Sequence, residues 1–242
     1  MNQQFKNYND EDLKVWSTLF ERQINNLKDK GSIHYLTALD KMKSVLNKAI
    51  LPNFEEINDW FKKTSGWEIY CVPGLIPVDE FFILLSQKKF PASTWLRSID
   101  KLDYLEEPDM FHDVFGHIPL LCNPIFSNFV HEFGKLGVLM LDNEQNLLKL
   151  QRLYWFTIEF GLIQEEDEIK VFGAGIISSF GETNASLEIT TSREKYKLES
   201  IIERSFITSE IQSTYFVLPD LNVLLESIIY LTQKWKQHEL VN

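Results

Sequence analysis

The sequence predicts a mainly α-helical (α+β) fold that forms one domain over residues 1–242. Three observations lead to this prediction. Apolar residues recur at three- and four-residue steps through much of the chain, which is the period of an amphipathic helix. The β-prone runs are short and end at proline or glycine. The chain has 242 residues, 44% of them hydrophobic, which suits one large domain with a sizeable core.

The first quarter of the chain is predicted to be helical. A first helix begins after an N-cap at Asn9 or Asp10 and ends before Gly31, with apolar residues along one face. Helical spacing returns at residues 35–51 and again at residues 53–66. We therefore expect three helices before the first strand.

The rest of the chain mixes further helices with short strands. We expect helices at residues 78–90, 123–141, 144–163 and 220–235, and strands within "GWEIYCV", "IKVFGAG" and "STYFVLP". The Val-Pro-Gly that follows the first of these strands predicts a rigid loop, because proline fixes the backbone and removes a donor.

Composition excludes several classes of partner. The chain has 24 basic and 35 acidic residues, a net charge of −11, which repels nucleic acid phosphates. No apolar run approaches the roughly 20 residues of a membrane span, and the polar start "MNQQFKNYND" does not look like a secretory signal. We therefore expect a cytoplasmic protein that binds neither nucleic acid nor membrane. Cys71 and Cys122 are isolated in the sequence, so no disulfide or cysteine zinc site is expected.

The stretch "EPDMFHDVFGHIPLL" places His112 and His117 five positions apart. Five residues of an α-helix rotate by about 140°, so these side chains cannot reach one ion from within a regular α-helix. We therefore expect the helix to end between them, with Gly116 in a left-handed conformation. The alternative is a pair of core histidines with satisfied hydrogen bonds.

A third candidate ligand is Glu159, which lies in the apolar run "LLKLQRLYWFTIEFGLI". An unpaired carboxylate buried among aromatic residues would cost several kcal/mol, so Glu159 needs a metal, a cation or a proton. Two histidines and one carboxylate match the facial triad of non-heme iron(II). Zinc is the chief alternative, but the sequence lacks HExxH and HxxEH. We therefore favour an iron site.

Three motifs resemble one known family. "PDMFHDVFGHIPLL", "LYWFTIEFGL" and "VFGAGIISSFGE" are similar to segments of the pterin-dependent aromatic amino acid hydroxylases, most of all the short bacterial-type phenylalanine hydroxylases. The resemblance runs from about Tyr8 to about Val217. It implies a helical catalytic domain around a non-heme iron crevice, with His112, His117 and Glu159 as iron ligands and a tetrahydropterin as second cofactor.

The resemblance also implies a pterin site. Its residues would be Gly74, Leu75, Ile76, Phe81, Asp113 and Tyr154. The loop at Gly74–Ile76 would hydrogen-bond the pterin ring through its backbone, and Phe81 would stack on the ring. Asp113 is shorter than the glutamate of animal members, so its contact would be longer or water-mediated. Without the resemblance, Phe81 would be interpreted as core packing.

The amino acid site implied by the resemblance consists of Arg97, Asp109, Trp155, Phe160 and Ser178. Arg97 would bind the substrate carboxylate with its planar fork, and Asp109 would hold Arg97. Trp155 and Phe160 would line the ring pocket. Ser178 would hydrogen-bond a ligand histidine and fix its orientation.

The function implied is the hydroxylation of L-phenylalanine to L-tyrosine with O2, iron(II) and a tetrahydropterin. Two alternatives stay open, namely tyrosine or tryptophan as substrate on the same fold, and a helical metal-binding protein without turnover. Trp155 argues against tryptophan, since tryptophan hydroxylases tend to carry phenylalanine there. We expect a monomer, or at most a weak dimer, without a regulatory or tetramerisation domain.

Overall fold

The computed structural model describes residues 2–103, 107–208 and 210–239. Within these residues the α-helices are α1 (Asp10–Leu27), α2 (Ile33–Lys41), α3 (Phe54–Lys62), α4 (Val78–Ser86), α5 (Pro124–Leu139), α6 (Glu144–Tyr154), α7 (Ala174–Ser178), α8 (Phe180–Ala185), α9 (Leu198–Glu203) and α10 (Asn222–Glu239). The strands are β1 (Glu68–Val72), β2 (Lys89–Ser93), β3 (Gly161–Glu165), β4 (Glu168–Val171), β5 (Ser192–Lys195) and β6 (Thr214–Leu218). Two segments are π-helical, π1 (Phe111–His117) and π2 (Trp155–Glu159). The predicted mainly helical α+β fold is confirmed.

The start of α1 is fixed by a capping box. The Asn9 side chain accepts hydrogen bonds from the backbone N–H groups of Glu11 and Asp12, and the Asp12 side chain accepts one from the Asn9 backbone. These bonds satisfy donors that a helix N-terminus leaves free. Of the two predicted N-caps, Asn9 is the observed one, and Asp10 is the first residue of the helix.

The strands form two small sheets. Strands β1 and β2 pair in parallel. The second sheet has the order β4-β3-β6-β5, in which β3 and β4 are antiparallel and the other pairs are parallel. The predicted strands at "GWEIYCV", "IKVFGAG" and "STYFVLP" correspond to β1, β4 and β6, while β2, β3 and β5 were not predicted.

Three predicted helices were too long. The helix expected at residues 35–51 ends at Lys41, and turns follow it. The helix expected at residues 78–90 ends at Ser86, because the chain turns at Lys88, which has a positive φ of 57°, into β2. These ends depend on tertiary contacts that helical spacing does not report.

The helix expected at residues 144–163 was the largest error of this kind. Helix α6 ends at Tyr154, π2 follows, and β3 begins at Gly161. Strand β3 is buried between β4 and β6, and a short apolar run of this sort cannot be distinguished from a buried helix by its period.

The elements that carry the candidate site meet in the core. Segment π1 packs against α7 and β2, and π2 packs against α7 and β3. Within π1 the rings of Phe111 and Phe115 stack with centroids 4.8 Å apart, and Trp16 of α1 meets Phe111 edge-on at 5.5 Å. These rings belong to a cluster of buried side chains that extends from Val15 to Trp235. Among the described helices, none has the length and apolar character needed to cross a bilayer.

Candidate metal centre and the surrounding pocket

The two histidines converge because the segment between them is a π-helix. In a π-helix the hydrogen bonds join residues five apart, so His112 and His117 lie on the same face of π1. The predicted helix end between them is wrong. Gly116 does not adopt a left-handed conformation, since Gly66 is the glycine with positive φ among the described residues.

Gly116 has a different role, which is a close approach between two elements. A Cβ placed on Gly116 would lie 2.9 Å from the carbonyl oxygen and 3.1 Å from the Cβ of Ala174, the first residue of α7. Such contacts are too short for most side chains to tolerate without a shift of the backbone. Glycine therefore lets π1 and α7 pack backbone to backbone beside the histidines.

The third candidate ligand is held by the second π-helical segment. In π2 the Phe160 N–H donates to the Trp155 carbonyl at 2.9 Å, a bond between residues five apart. The Thr157 hydroxyl donates to the Leu153 carbonyl at 2.5 Å. Glu159 is the last residue of π2 and is buried. The turn between α6 and β3 thus aims Glu159 inward.

The three candidate ligands form a compact donor set. The Nε2 atoms of His112 and His117 lie 3.2 Å apart, and the Glu159 carboxylate lies 3.0 Å from His117 Nε2 and 3.6 Å from His112 Nε2. One ligand atom from each residue falls within 4.8 Å of the others. Ligands about 2.1 Å from one ion and at right angles to each other lie about 3 Å apart, so this set fits one metal ion.

The protonation states also suit a metal ion. Burial lowers the pKa of His112 to about 4, so its ring is neutral near pH 7. Burial opposes the charge on Glu159, but His117 and His112 outweigh that effect and lower the pKa of Glu159 to about 2. His112 Nδ1 and the Ser178 hydroxyl are joined by a hydrogen bond of 2.9 Å, which leaves Nε2 directed at the other ligands.

Asp113 follows His112 and is buried. One carboxylate oxygen of Asp113 accepts a 2.7 Å hydrogen bond from the Ser93 N–H at the end of β2. Burial, only partly offset by this bond, raises the pKa of Asp113 to about 7. The bond joins π1 to β2, which the sequence did not indicate.

Arg97 and Asp109 form a buried two-point ion pair. Arg97 Nε and Nη2 lie 2.8 and 2.9 Å from the two carboxylate oxygens of Asp109, and Arg97 Nη1 donates to the Leu102 carbonyl at 3.2 Å. Asp109 also accepts from the backbone N–H groups of Arg97 and His112. A guanidinium has five N–H groups, and two of those on Arg97 have no hydrogen-bond partner among the described residues.

A cavity of about 200 Å³ lies beside the donor set. It is lined by Ile76, Val78, Phe81, Phe82, Phe133, Gln151, Tyr154, Trp155 and Phe206. The Phe81 and Tyr154 rings meet edge-on at 5.2 Å, and the Tyr154 ring lies nearly parallel to that of His117, with centroids 6.3 Å apart. The lining thus includes three residues of the predicted pterin site. The predicted pterin site also includes Leu75 and Gly74. Leu75 is 72% exposed, and a Cβ on Gly74 would lie 4.0 Å from the Glu107 carboxylate.

Trp155 lies between two aromatic rings. Its ring centroid is 4.6 Å from that of Phe160 and 4.6 Å from that of Phe206, on which it stacks. The indole N–H donates to the Gln212 side-chain oxygen at 2.9 Å. Buried Glu182 in turn accepts from the Gln212 backbone N–H at 3.1 Å. The sequence predicted Trp155 and Phe160, but no local pattern marked the other three residues.

The fold and the donor set together define a class. Two histidines and one carboxylate as ligands to a single metal are typical of non-heme iron(II) oxygenases. The model of the biopterin-dependent aromatic amino acid hydroxylase family matches residues 4–241. The chain therefore belongs to the biopterin-dependent aromatic amino acid hydroxylases.

The chain is similar to several bacterial proteins named phenylalanine hydroxylase. The chain is 40% identical over 213 residues to a phenylalanine-4-hydroxylase of Vibrio cholerae, covering 88% of this chain and 72% of that protein. It is 39% identical over 222 residues to that of Pseudomonas aeruginosa, covering 92% and 83%. The crystal structure of the Chromobacterium violaceum phenylalanine hydroxylase, with bound iron(III) and 7,8-dihydrobiopterin, matches with a TM-score of 0.90 and 37% identity, over 95% of this chain and 83% of that one.

Proposed function

We propose that this chain hydroxylates L-phenylalanine to L-tyrosine, using O2, iron(II) and a tetrahydropterin. The observation that carries the proposal is the His112, His117 and Glu159 donor set, which lies on two π-helical segments of a fold that belongs to this hydroxylase family. The phenylalanine-4-hydroxylase names of relatives near 40% identity support the choice of substrate. A monomeric state, a single domain and a cytoplasmic location stay predictions.

In this proposal His112, His117 and Glu159 hold the iron. Iron(II) and the reduced pterin together supply the activation of O2, which the side chains of the protein cannot supply. Burial keeps the His112 imidazole neutral near pH 7, and the two histidines keep Glu159 ionised, so these two ligands need not lose a proton before they bind a cation. With Nε2 as the ligand atom, His112 carries its proton on Nδ1 and donates to the Ser178 hydroxyl, and this bond fixes the ring that would otherwise rotate.

Arg97 binds the carboxylate of the amino acid. Two of the guanidinium N–H groups donate to Asp109, and a third donates to the Leu102 carbonyl. The two remaining donors form a fork that suits a carboxylate. Asp109 also accepts from the His112 backbone, so the carboxylate site and the metal site have a fixed separation.

The aromatic ring of the substrate packs on Trp155 and Phe160. These rings are fixed by Phe206 and by the hydrogen bond between Trp155 and Gln212. Apolar walls around the ring exclude water from the reacting carbon, and their edge and face contacts hold the ring in one orientation.

The neighbouring cavity would hold the pterin. Phe81 and Tyr154 form aromatic walls of the cavity, and Ile76 also lines it. The backbone of the Gly74–Ile76 loop would provide hydrogen bonds to the pterin ring. Asp113 is one residue from His112, and its carboxylate connects this side of the site to β2.

A turnover assay tests the proposal. The purified chain is incubated with iron(II), a tetrahydropterin and O2, and with phenylalanine, tyrosine or tryptophan in parallel, and the products are separated by chromatography. We expect tyrosine from phenylalanine, with no product when iron, pterin or O2 is omitted. Preferential hydroxylation of tyrosine or tryptophan would refute the substrate, and a lack of product from all three would refute the enzyme.

A further inference from the structure

Tyr35 contacts the metal-binding segment from a distant part of the chain. It lies on α2, its side chain is fully buried, and its hydroxyl donates to the Phe115 carbonyl at 2.6 Å. Its ring also meets the Phe115 ring edge-on, with centroids 6.0 Å apart. Phe115 is a residue of π1, two positions before His117. A single side chain of α2 therefore reaches the last turn of π1.

The sequence explains why the Phe115 carbonyl needs this donor. Segment π1 ends at His117 and a 3-10 turn begins at Pro119, so π-helical bonding does not extend to the Phe115 carbonyl, and in an α-helical continuation this carbonyl would accept from the N–H of residue 119. Residue 119 is proline, which has no N–H. A buried carbonyl without a partner is costly, and Tyr35 supplies a donor at this position.

The position of the Phe115 carbonyl bears directly on a candidate ligand. The peptide bond that follows it leads into Gly116, which packs against Ala174 without room for a Cβ, and then into His117. A shift of this carbonyl would therefore rotate the backbone that carries His117. The Phe115 carbonyl is fixed from one side by α2, while Gly116 is fixed from the other side by α7.

We propose that Tyr35 is a positioning residue for the metal centre, whose hydroxyl fixes the last turn of π1 and thereby the direction of the His117 side chain. The proposal rests on the proposed function, because it assigns His117 to the metal. Tyr35 itself contacts neither metal nor substrate; it acts through Phe115. The alternative is a buried hydrogen bond that contributes stability alone.

The test compares two tyrosine variants. Tyr35→Phe removes the hydroxyl and keeps the ring. Tyr196→Phe is the matched control, because the Tyr196 hydroxyl is joined to Ser227 of α10 at 2.7 Å and neither residue belongs to the donor set or to the residues given above as lining the cavity. For each protein, the melting temperature is measured without metal, and the dissociation constants of Co(II) and iron(II) are measured by competition with a chelator. The visible spectrum of the Co(II) protein reports ligand geometry.

We expect both variants to lose stability, but Tyr35→Phe alone to lose metal affinity, by about ten- to a hundredfold as for other residues that orient ligands. Its Co(II) spectrum should also change. Incorporation of para-aminophenylalanine at position 35 keeps an N–H donor and should restore affinity. If Tyr35→Phe does not fold, para-fluorophenylalanine at position 35 serves as the variant without a donor.

Two results would overturn the assignment of Tyr35. One is equal metal affinity and an unchanged Co(II) spectrum in Tyr35→Phe and Tyr196→Phe, which would mean a role in stability alone. The other is a failure of the amino substituent to restore affinity to a protein weakened at position 35. A wild-type chain that binds no metal would instead overturn the proposed function, and the assignment of Tyr35 with it.

Discussion

Replacing Gly116 by alanine tests how the ligands are held. The new Cβ would lie 2.9 Å from the Ala174 carbonyl oxygen and 3.1 Å from the Ala174 Cβ. The nearer atom belongs to the backbone and cannot rotate away, so π1 and α7 must separate by some tenths of an ångström. Overpacking of this kind costs about 1–3 kcal/mol of folding free energy.

The separation of π1 from α7 should also displace the metal ligands. Segment π1 carries both histidines, and α7 carries Ser178, which holds His112. Metal sites tolerate ligand displacements of only about 0.2 Å. We therefore expect Gly116→Ala to lose metal affinity by about tenfold or more.

Gly181→Ala is the control for this variant. Gly181 lies in α8, and a Cβ there would meet no atom within 4 Å. Co(II) and iron(II) affinities are measured by chelator competition, and metal-free stability by thermal unfolding. A Gly116→Ala protein that binds both ions as tightly as the wild type would refute the argument that contact with α7 fixes the histidines.

Three further predictions concern other parts of the site. Glu159→Gln removes the negative charge that offsets iron(II), so metal content and turnover should both fall. Glu182→Gln changes another buried carboxylate and should retain the metal. Metal analysis of the two purified proteins checks both expectations. Arg97→Lys loses the two-point fork, so the KM for phenylalanine should rise by the equivalent of about 1–3 kcal/mol while the KM for the pterin stays unchanged. Gln212→Leu removes the hydrogen-bond acceptor of the Trp155 N–H, so the KM for phenylalanine should rise by the equivalent of about 1 kcal/mol without a change in metal affinity. Steady-state kinetics test this, and a fall in kcat with an unchanged KM would contradict it.

The sequence identified the three donor residues but not the local structure that brings them together. The spacing of five between His112 and His117 excluded a regular α-helix, and that step was sound. The inference of a glycine break at Gly116 was wrong, because a π-helical segment satisfies the same spacing. Such segments are rare, and they have no sequence signature comparable to an N-cap or a C-terminal glycine.

Residues that act through tertiary hydrogen bonds could not be predicted from local patterns. Tyr35 is 80 positions from Phe115, and Gln212 is 57 positions from Trp155. Neither residue stands out in its own segment, since a tyrosine on a helix face is usually core and a glutamine in a loop is usually exposed. Pro119 was visible in the sequence, and its missing N–H indicates that the Phe115 carbonyl needs another donor, but it does not indicate which residue supplies it.

The two π-helical segments solve one geometric problem in the same way. Each has bonds between residues five apart, which leaves helix carbonyls to be satisfied from elsewhere, and in each a hydroxyl donates to such a carbonyl. In π1 the Tyr35 hydroxyl donates to the Phe115 carbonyl, and at π2 the Thr157 hydroxyl donates to the Leu153 carbonyl in the last turn of α6. These bonds offset part of the cost of leaving α-helical geometry. Because π1 ends at His117 and π2 ends at Glu159, the proposed role of Tyr35 has a counterpart in Thr157, whose hydroxyl bond lies two residues before the second of these ligands.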